Sequence, residues 1–362
     1  MPPSDPSGAE PLGGAVPRVA LVTPLHNKAP YVAEMIASVR AQTFTDWHWV
    51  IVDDGSTDDS FAVACAAAAG DPRIRCIGQA NAGVSAARLA GFEATEPGSE
   101  YVLFPDADDL LEPEMLAALV AALDADETAS MAYVSYRAID ADGRPHPMEY
   151  PRYWVPCGPF ARQRDGDAGC MALEGIVAWA PVIEPAGMMR RSVFVAGPGW
   201  DRHLGQHGEG VLLFGYCALR GRVAHVDRPL YRYRRFPGQS SSIGERVAVQ
   251  ERKTYWQLHE WPGDAVDRAR MRRALRFGAG AVLGSVAMRS GLGMLRSGRF
   301  ARGARLWCAG GARCLAAALL PGWFLRRCVR EWRADFRARG IPWEPCRARG
   351  GMVANDEDGT PR

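Results

Sequence analysis

The chain has 362 residues, 48% of them hydrophobic and 23% charged, with a formal net charge of +2 at neutral pH. That is ordinary for a globular protein, and it accommodates one large α/β domain with an appendage or two modest domains. No run reaches the roughly 18 apolar residues of a membrane span. The nine cysteines include no C-x-x-C pair, which excludes zinc-ribbon spacing, shows no disulfide framework and points to a reducing cytosol.

Residues 1–17 are rich in Pro, Gly and Ser without an apolar segment, and are expected to form a disordered leader. RVALVTPLHN then reads as a buried strand stopped near Pro24, and YVAEMIASVRAQ as a helix with Val32, Met35, Ile36 and Val39 on one face. WHWVIVDDGSTDDS repeats the unit: an apolar strand, an acidic turn with a glycine, and an Ala-rich helix over 60–69. RIRCIGQ is a third strand, NAGVSAARLAGFEAT a third helix and YVLFPDADD a fourth strand. Strands and helices alternating at this spacing imply a mostly parallel sheet with helices on both faces.

In such sheets ligands bind outside the carboxyl ends of the strands. The polar residues that need explaining fall there: Thr23 to Asn27, Asp53 to Thr57, Asn81 with Gly83, and Asp106 to Asp109. Asp106 and Asp108 are two residues apart, and like charges that close repel unless a cation or a hydrogen-bonding partner lies between them. Asp109 reads instead as the N-cap of a helix through LLEPEMLAALVAAL, with Pro113 in its first turn. Asp53 is expected to brace its turn.

Beyond Ala129, MAYVSYRAID predicts a strand, ADGRPH a turn, and residues 145–167 a long loop rich in Pro, Gly and aromatics. MMRRSVFVA is a strand or a short helix, a further helix starts near Glu209, and VAHVDRPLYRYRRF is the last strand. After a linker at 240–245 the composition changes: from Arg268 to Arg349 there are 19 arginines against Glu331, Asp335 and Glu344. Apolar and basic residues at helical spacing predict amphipathic helices that pack on the preceding domain or lie on an anionic membrane surface. Nothing in this region matches a nucleic-acid-binding motif.

TPLHNKAPYVAEMIASVRAQTFTDWHWVIVDDGSTDDS, NAGVSAARLAG and FPDADDLLEP, in this order and spacing, resemble the family 2 glycosyltransferases, whose catalytic core is the GT-A fold. The resemblance covers residues 18–240 and is most specific in the first 115. It implies a GT-A domain over 18–240, which composition and pattern flank with a leader over 1–17, a basic helical extension over 246–345 and a disordered tail over 346–362. Within the GT-A domain, residues 18–129 would be the nucleotide-sugar-binding half and 130–240 the acceptor side.

The activity it implies is inverting transfer of a sugar from a nucleotide-diphosphate donor to a hydroxyl of a glycan, lipid carrier or small-molecule scaffold, with Mn²⁺ or Mg²⁺. By resemblance Asp108 binds the metal, Asp106 lies by the ribose, Asp54 accepts from the base N–H, and Pro24, His26, Asn27 and Asn81 line the nucleoside pocket. Arg88 matches a family arginine that reaches toward the nucleotide. The place implied is cytoplasmic, or peripheral at the inner face of a membrane through the Arg-rich helices.

Two departures stand out. The family's base is usually an acid of an acidic pair opening a late helix; here Glu209 is followed by Gly210, so Glu209 supplies the base, His207 does, or there is none. The last alternative describes a nucleotide-sugar-binding protein that has lost catalysis. A closing segment that often carries a His has Phe236 instead, flanked by Arg234 and Arg235, which either contact the diphosphate or form a solvated strand end. A nucleotidyltransferase is disfavoured, because no Gly-rich, Lys/Arg-bearing phosphate loop follows the first strand. On the acceptor side only Trp154, Trp179 and Glu184 stand out, by location and residue type.

Overall fold

The computed structural model describes residues 16–146, 184–200, 209–236, 258 and 263–275. The elements run β1 (Val19–Leu25), α1 (Val32–Arg40), β2 (Trp47–Asp54), α2 (Ser60–Ala68), β3 (Ile74–Gln79), α3 (Val84–Glu93), β4 (Tyr101–Leu103), β5 (Leu110–Leu111), α4 (Met115–Asp124) and β6 (Ala129–Ile139). Further along the chain come β7 (Gly187–Arg190), α5 (Arg191–Ala196), α6 (Glu209–Arg220) and β8 (Arg222–Arg234). MMRRSVFVA is therefore both of the things it could have been, a strand and then a short helix. Residues 1–15 of the leader, the 147–167 part of the long loop, the linker and the tail beyond 275 lie outside the described residues, as do Trp154, Trp179 and His207.

The strands form one eight-stranded sheet in the order β3-β2-β1-β4-β7-β6-β8-β5. β1 pairs in parallel with β2 and β4, β2 with β3, and β6 with β8, while β7 and β5 run antiparallel. Every residue of β2 is buried, as a strand covered on both faces requires. Alternation along the strands sorts the core: Leu21, Trp49 and Ile51 pack with Met35, Ile36 and Leu119 of α1 and α4, while Val50 and Val52 pack with Ala87 of α3. Helix α3 approaches closely, since a Cβ on Gly91 would lie 2.4 Å from Val22 Cγ1 and 2.8 Å from Val52 Cγ2. The glycine lets the helix carrying Arg88 lie against β1 and β2.

The segment after β4 departs from expectation. Leu110 and Leu111 form a strand pairing with β8, and the helix begins only at Met115, so Asp109 is not its N-cap. Asp109 is fully buried and accepts hydrogen bonds from the Tyr231 hydroxyl (2.7 Å) and the Arg234 backbone N–H (2.7 Å). Burial, with Asp108 and Asp106 nearby, pushes its carboxyl well above the usual range, and burial beside Asp109 pushes Tyr231 well above the usual phenol. Sequence reasoning missed this because the partners sit more than a hundred residues away and local pattern favoured a cap.

Arg234 is a second correction. Neither a solvated strand end nor a group aimed at a ligand, it is 1% exposed. Its guanidinium donates to the carbonyls of Asp108 (2.7 Å) and Ala141 (2.9 Å) and to Glu34 Oε2 (2.7 Å). β8 thus holds the acidic turn after β4 by side chain and backbone together. Part of the basic tail also packs: in the helical residues 265–275, Met271, Ala274 and Leu275 are buried, Asp267 pairs with Arg220, and Arg270 reaches the Leu219 carbonyl at the end of α6.

Two outcomes test this frame. Tyr231→Phe leaves a buried Asp109 oxygen without its donor and should lower stability by about 1–3 kcal/mol in denaturant titration. His48, buried in β2, accepts from the Glu96 N–H (3.1 Å) through Nε2, while its Nδ1 has no partner among the described residues. Burial, helped by the Arg191 guanidinium and opposed by Glu96, holds its imidazole down at about 4, against 6.5 when free. The unfolded chain therefore binds the extra proton first, and stability falls as pH drops from about 6.5 to 4. Relative to His48→Gln, the wild type should lose up to about 3 kcal/mol across that window in pH-dependent unfolding.

Candidate functional site

Strand order reverses between β1 and β4, and the turns leaving β1, β2, β3 and β4 meet at that edge. The first two are laced together at Asn27, whose φ of 53° is the described chain's one positive value outside glycine. Its N–H donates to Ser56 Oγ (3.1 Å) and its Oδ1 accepts from the Thr57 N–H (2.8 Å). Pro24 lies opposite Val52 in the β1–β2 register, half-buried beneath this turn. Asp53 braces the second turn as expected, accepting from the Ser56 N–H (3.1 Å). Gly55 is required there: its φ is +66°, and a Cβ would come within 2.8 Å of the Asn81 nitrogen.

Asp54 organises the second and third turns. Its Oδ1 accepts from Gln79 Nε2 (2.7 Å) and the Ala82 N–H (2.9 Å), and its Oδ2 from the Gly83 N–H (2.8 Å). It is 3% exposed, so these donors compensate most of the desolvation of its charge. His26 lies above it, with Nδ1 3.0 Å from the Asp54 carbonyl oxygen and 3.2 Å from Asn81 Nδ2, and Nε2 3.2 Å from Asn27 Nδ2. The tautomer protonated at Nδ1 donates to Asp54 and accepts from Asn27. His26, Asn27, Asp54 and Asn81 thus form one polar wall with an exposed imidazole.

The fourth turn brings the paired carboxylates. Asp106 Oδ1 accepts from Arg88 Nη2 at 2.9 Å, and the Arg88 guanidinium lies 4.3 Å from the Trp200 ring centre. Arg88 is 2% exposed, so it braces Asp106 and Trp200. Asp108, 6% exposed, pairs with Lys28 Nζ at 2.7 Å. Lys28, Gln79 and Trp200 carry no signal in sequence spacing; what marks them is that each meets a strand-end group from another segment. Phe236 packs against Tyr31 with the rings tilted and their centres 5.1 Å apart, and its ring centre lies 4.8 Å from the Lys28 ammonium. Glu209 opens α6 as expected, followed by buried Gly210.

Among the described residues no cluster of three or more His, Cys, Asp or Glu is arranged to cage a metal. The donor set nonetheless fits Mg²⁺ or Mn²⁺, hard ions held through one or two carboxylates, with waters and substrate phosphates completing the shell. Asp106 and Asp108 supply hard oxygens, and the Lys28 ammonium shows that Asp108 accommodates a cation. No described helix is long and apolar enough to cross a membrane.

Comparison with known proteins agrees with this geometry. The family model described as Glycosyl transferase family 2 matches residues 20–175. The uncharacterized glycosyltransferase EpsJ of Bacillus subtilis is 38% identical over 104 residues, 29% of this chain and 30% of its own length, so the chain spans under a third of that curated relative. Among solved structures, residues 1–349 of S. aureus TarS in complex with UDP-GlcNAc superpose with a TM-score of 0.56 at 16% identity, covering 90% of this chain and 93% of that one. The Pyrobaculum calidifontis mannosyltransferase PcManGT, in complex with GDP-Man and Mn²⁺, gives a TM-score of 0.50 at 18% identity, covering 88% of this chain and 91% of that one. The motifs at four strand ends and the family match over residues 20–175 support a glycosyl transferase family 2 domain in that part of the chain, and the shared sheet shows a GT-A-type fold.

Proposed function

We propose that this chain is an inverting, metal-dependent glycosyltransferase that moves a sugar from a nucleotide-diphosphate donor to a hydroxyl acceptor. The observation that carries this reading is the convergence of four strand-end turns on one edge, with Asp54, Asp106 and Asp108 at successive positions along it. UDP-GlcNAc in TarS and GDP-Man with Mn²⁺ in PcManGT are precedents for both components on this fold.

In this reading His26 and Asn81 flank the nucleobase and Asp54 accepts from its ring N–H. Asp106, held by Arg88, receives the ribose hydroxyls. Asp108 holds Mn²⁺ or Mg²⁺, which when bound neutralises the charge building on the departing diphosphate. Glu209 takes the proton of the acceptor hydroxyl. The acceptor oxygen forms the new bond to the anomeric carbon from the face opposite the leaving group, and the bond to the diphosphate oxygen breaks with its electron pair. The nucleoside diphosphate leaves, and configuration inverts. The basic tail beyond 275 supplies a peripheral contact with anionic membrane, bringing the chain to a lipid-borne acceptor.

The melting temperature should rise with one of UDP, GDP, dTDP or CDP in the presence of Mn²⁺, and Asp108→Ala should remove the metal-dependent part of that shift. Glu209→Gln should keep the shift while lowering transfer by about 10²- to 10⁴-fold in a donor-consumption assay. Full transfer by Glu209→Gln would move the base elsewhere. A nucleotide shift without transfer to any acceptor would favour the nucleotide-sugar-binding protein that the Gly210 departure suggests.

A further inference from the structure

Lys28, which pairs with Asp108, is the charged group of the site to which the proposed reaction gives no role. Lys28 sits in the turn after β1, where its backbone is fixed: its N–H donates to Ser60 Oγ (2.6 Å), and its carbonyl accepts from the N–H groups of Tyr31 (2.9 Å) and Val32 (3.1 Å). From that anchor its side chain crosses to the turn after β4, placing Nζ 2.7 Å from Asp108 Oδ2. Asp108 is nearly buried and the Lys28 side chain 23% exposed, so the pair is screened less than a surface ion pair. The same ammonium faces the Phe236 ring at 4.8 Å. Phe236 packs at a tilt against Tyr31, whose ring is backed by the Arg234 guanidinium at 4.9 Å.

An ammonium at hydrogen-bond distance and a divalent ion at about 2.0–2.1 Å cannot share one carboxylate oxygen, because their charges would then lie within a few ångströms of each other. The lysine stem is flexible and its charge compact, which suits a group that leaves one anion for another. A diphosphate beside Asp108 offers such an anion, and the Phe236 face a cation–π platform next to it.

We infer that Lys28 is a displaceable internal counter-ion that keeps Asp108 closed to divalent metal until a nucleoside diphosphate arrives. The inference rests on Asp108 being the metal ligand. In the free protein the ammonium competes with the metal for Oδ2; with nucleotide present it moves to phosphate and Asp108 becomes available. Metal and nucleoside diphosphate then bind cooperatively, and by linkage each tightens the other by the same factor.

The experiment is Mn²⁺ binding to the full chain, followed by electron paramagnetic resonance with and without UDP or GDP, whichever shifts the melting temperature. Lys28→Met keeps the stem and removes the charge, and Lys28→Gln serves as a second variant if the first does not fold. Without nucleotide, the neutral variant should bind Mn²⁺ about tenfold tighter than wild type, and nucleotide should tighten Mn²⁺ binding in wild type far more than in the variant. Adding Asp108→Asn to the neutral variant should abolish its gain. If the neutral variant binds Mn²⁺ no tighter than wild type, yet Asp108→Asn still weakens binding, Asp108 is the ligand and the counter-ion role of Lys28 is overturned alone. If Asp108→Asn changes nothing in any background, the metal assignment itself falls and the inference with it.

Discussion

Charge compensation at the end of β4 is the constraint on which the rest of the site depends. Three carboxylates within four residues, two of them buried, are tolerable in a low-dielectric edge only if each finds a partner. Each finds a different kind. Asp106 meets the Arg88 guanidinium, Asp108 the Lys28 ammonium, and Asp109 a phenol and a backbone N–H. The partners come from α3, from the turn after β1 and from β8, so compensating these charges ties the two ends of the described domain together.

The three solutions also sort the carboxylates by consequence. Asp109, sealed under Tyr231 and Arg234, is the fixed point of the turn. Asp108 is held by a flexible lysine, and Asp106 by a buried arginine whose guanidinium lies over the Trp200 ring. A rigid anchor beside two ion-paired carboxylates lets the turn keep its shape. Arg234, which by sequence either contacted the diphosphate with Arg235 or formed a solvated strand end, is instead part of the anchor.

The turns after β2 and β3 follow the same logic with weaker charges. Asp54 is stabilised by two backbone N–H groups and an amide rather than by a cation, and it shapes the approach to α3 before any ligand is present. Gly55 lets the turn after β2 come against Asn81, and Gly91 lets α3 lie close enough for Arg88 to reach Asp106. Packing of the helix face and geometry of the site are one requirement.

Much of this was written in local pattern. Apolar runs ending in Pro24 and Asp54 and the short strand ending in Gln79, with helical periodicity between them, determined the parallel half of the sheet and which turns would meet, because in an alternating α/β chain every strand ends at the same edge. The brace at Asp53 and the start of α6 at Glu209 were legible for the same reason, since each depends on neighbours within a few residues. What the sequence left open was decided across long separations. Leu110–Leu111 became a strand because β8 was there to pair with it, Asp109 was buried because Tyr231 closed over it, and Arg234 turned inward because Asp108, Ala141 and Glu34 offered acceptors from three segments. The pairing of Lys28 with Asp108 belongs to the same class. Residues 80 positions apart carry no shared period, and only the folded sheet brings an ammonium and a carboxylate to 2.7 Å.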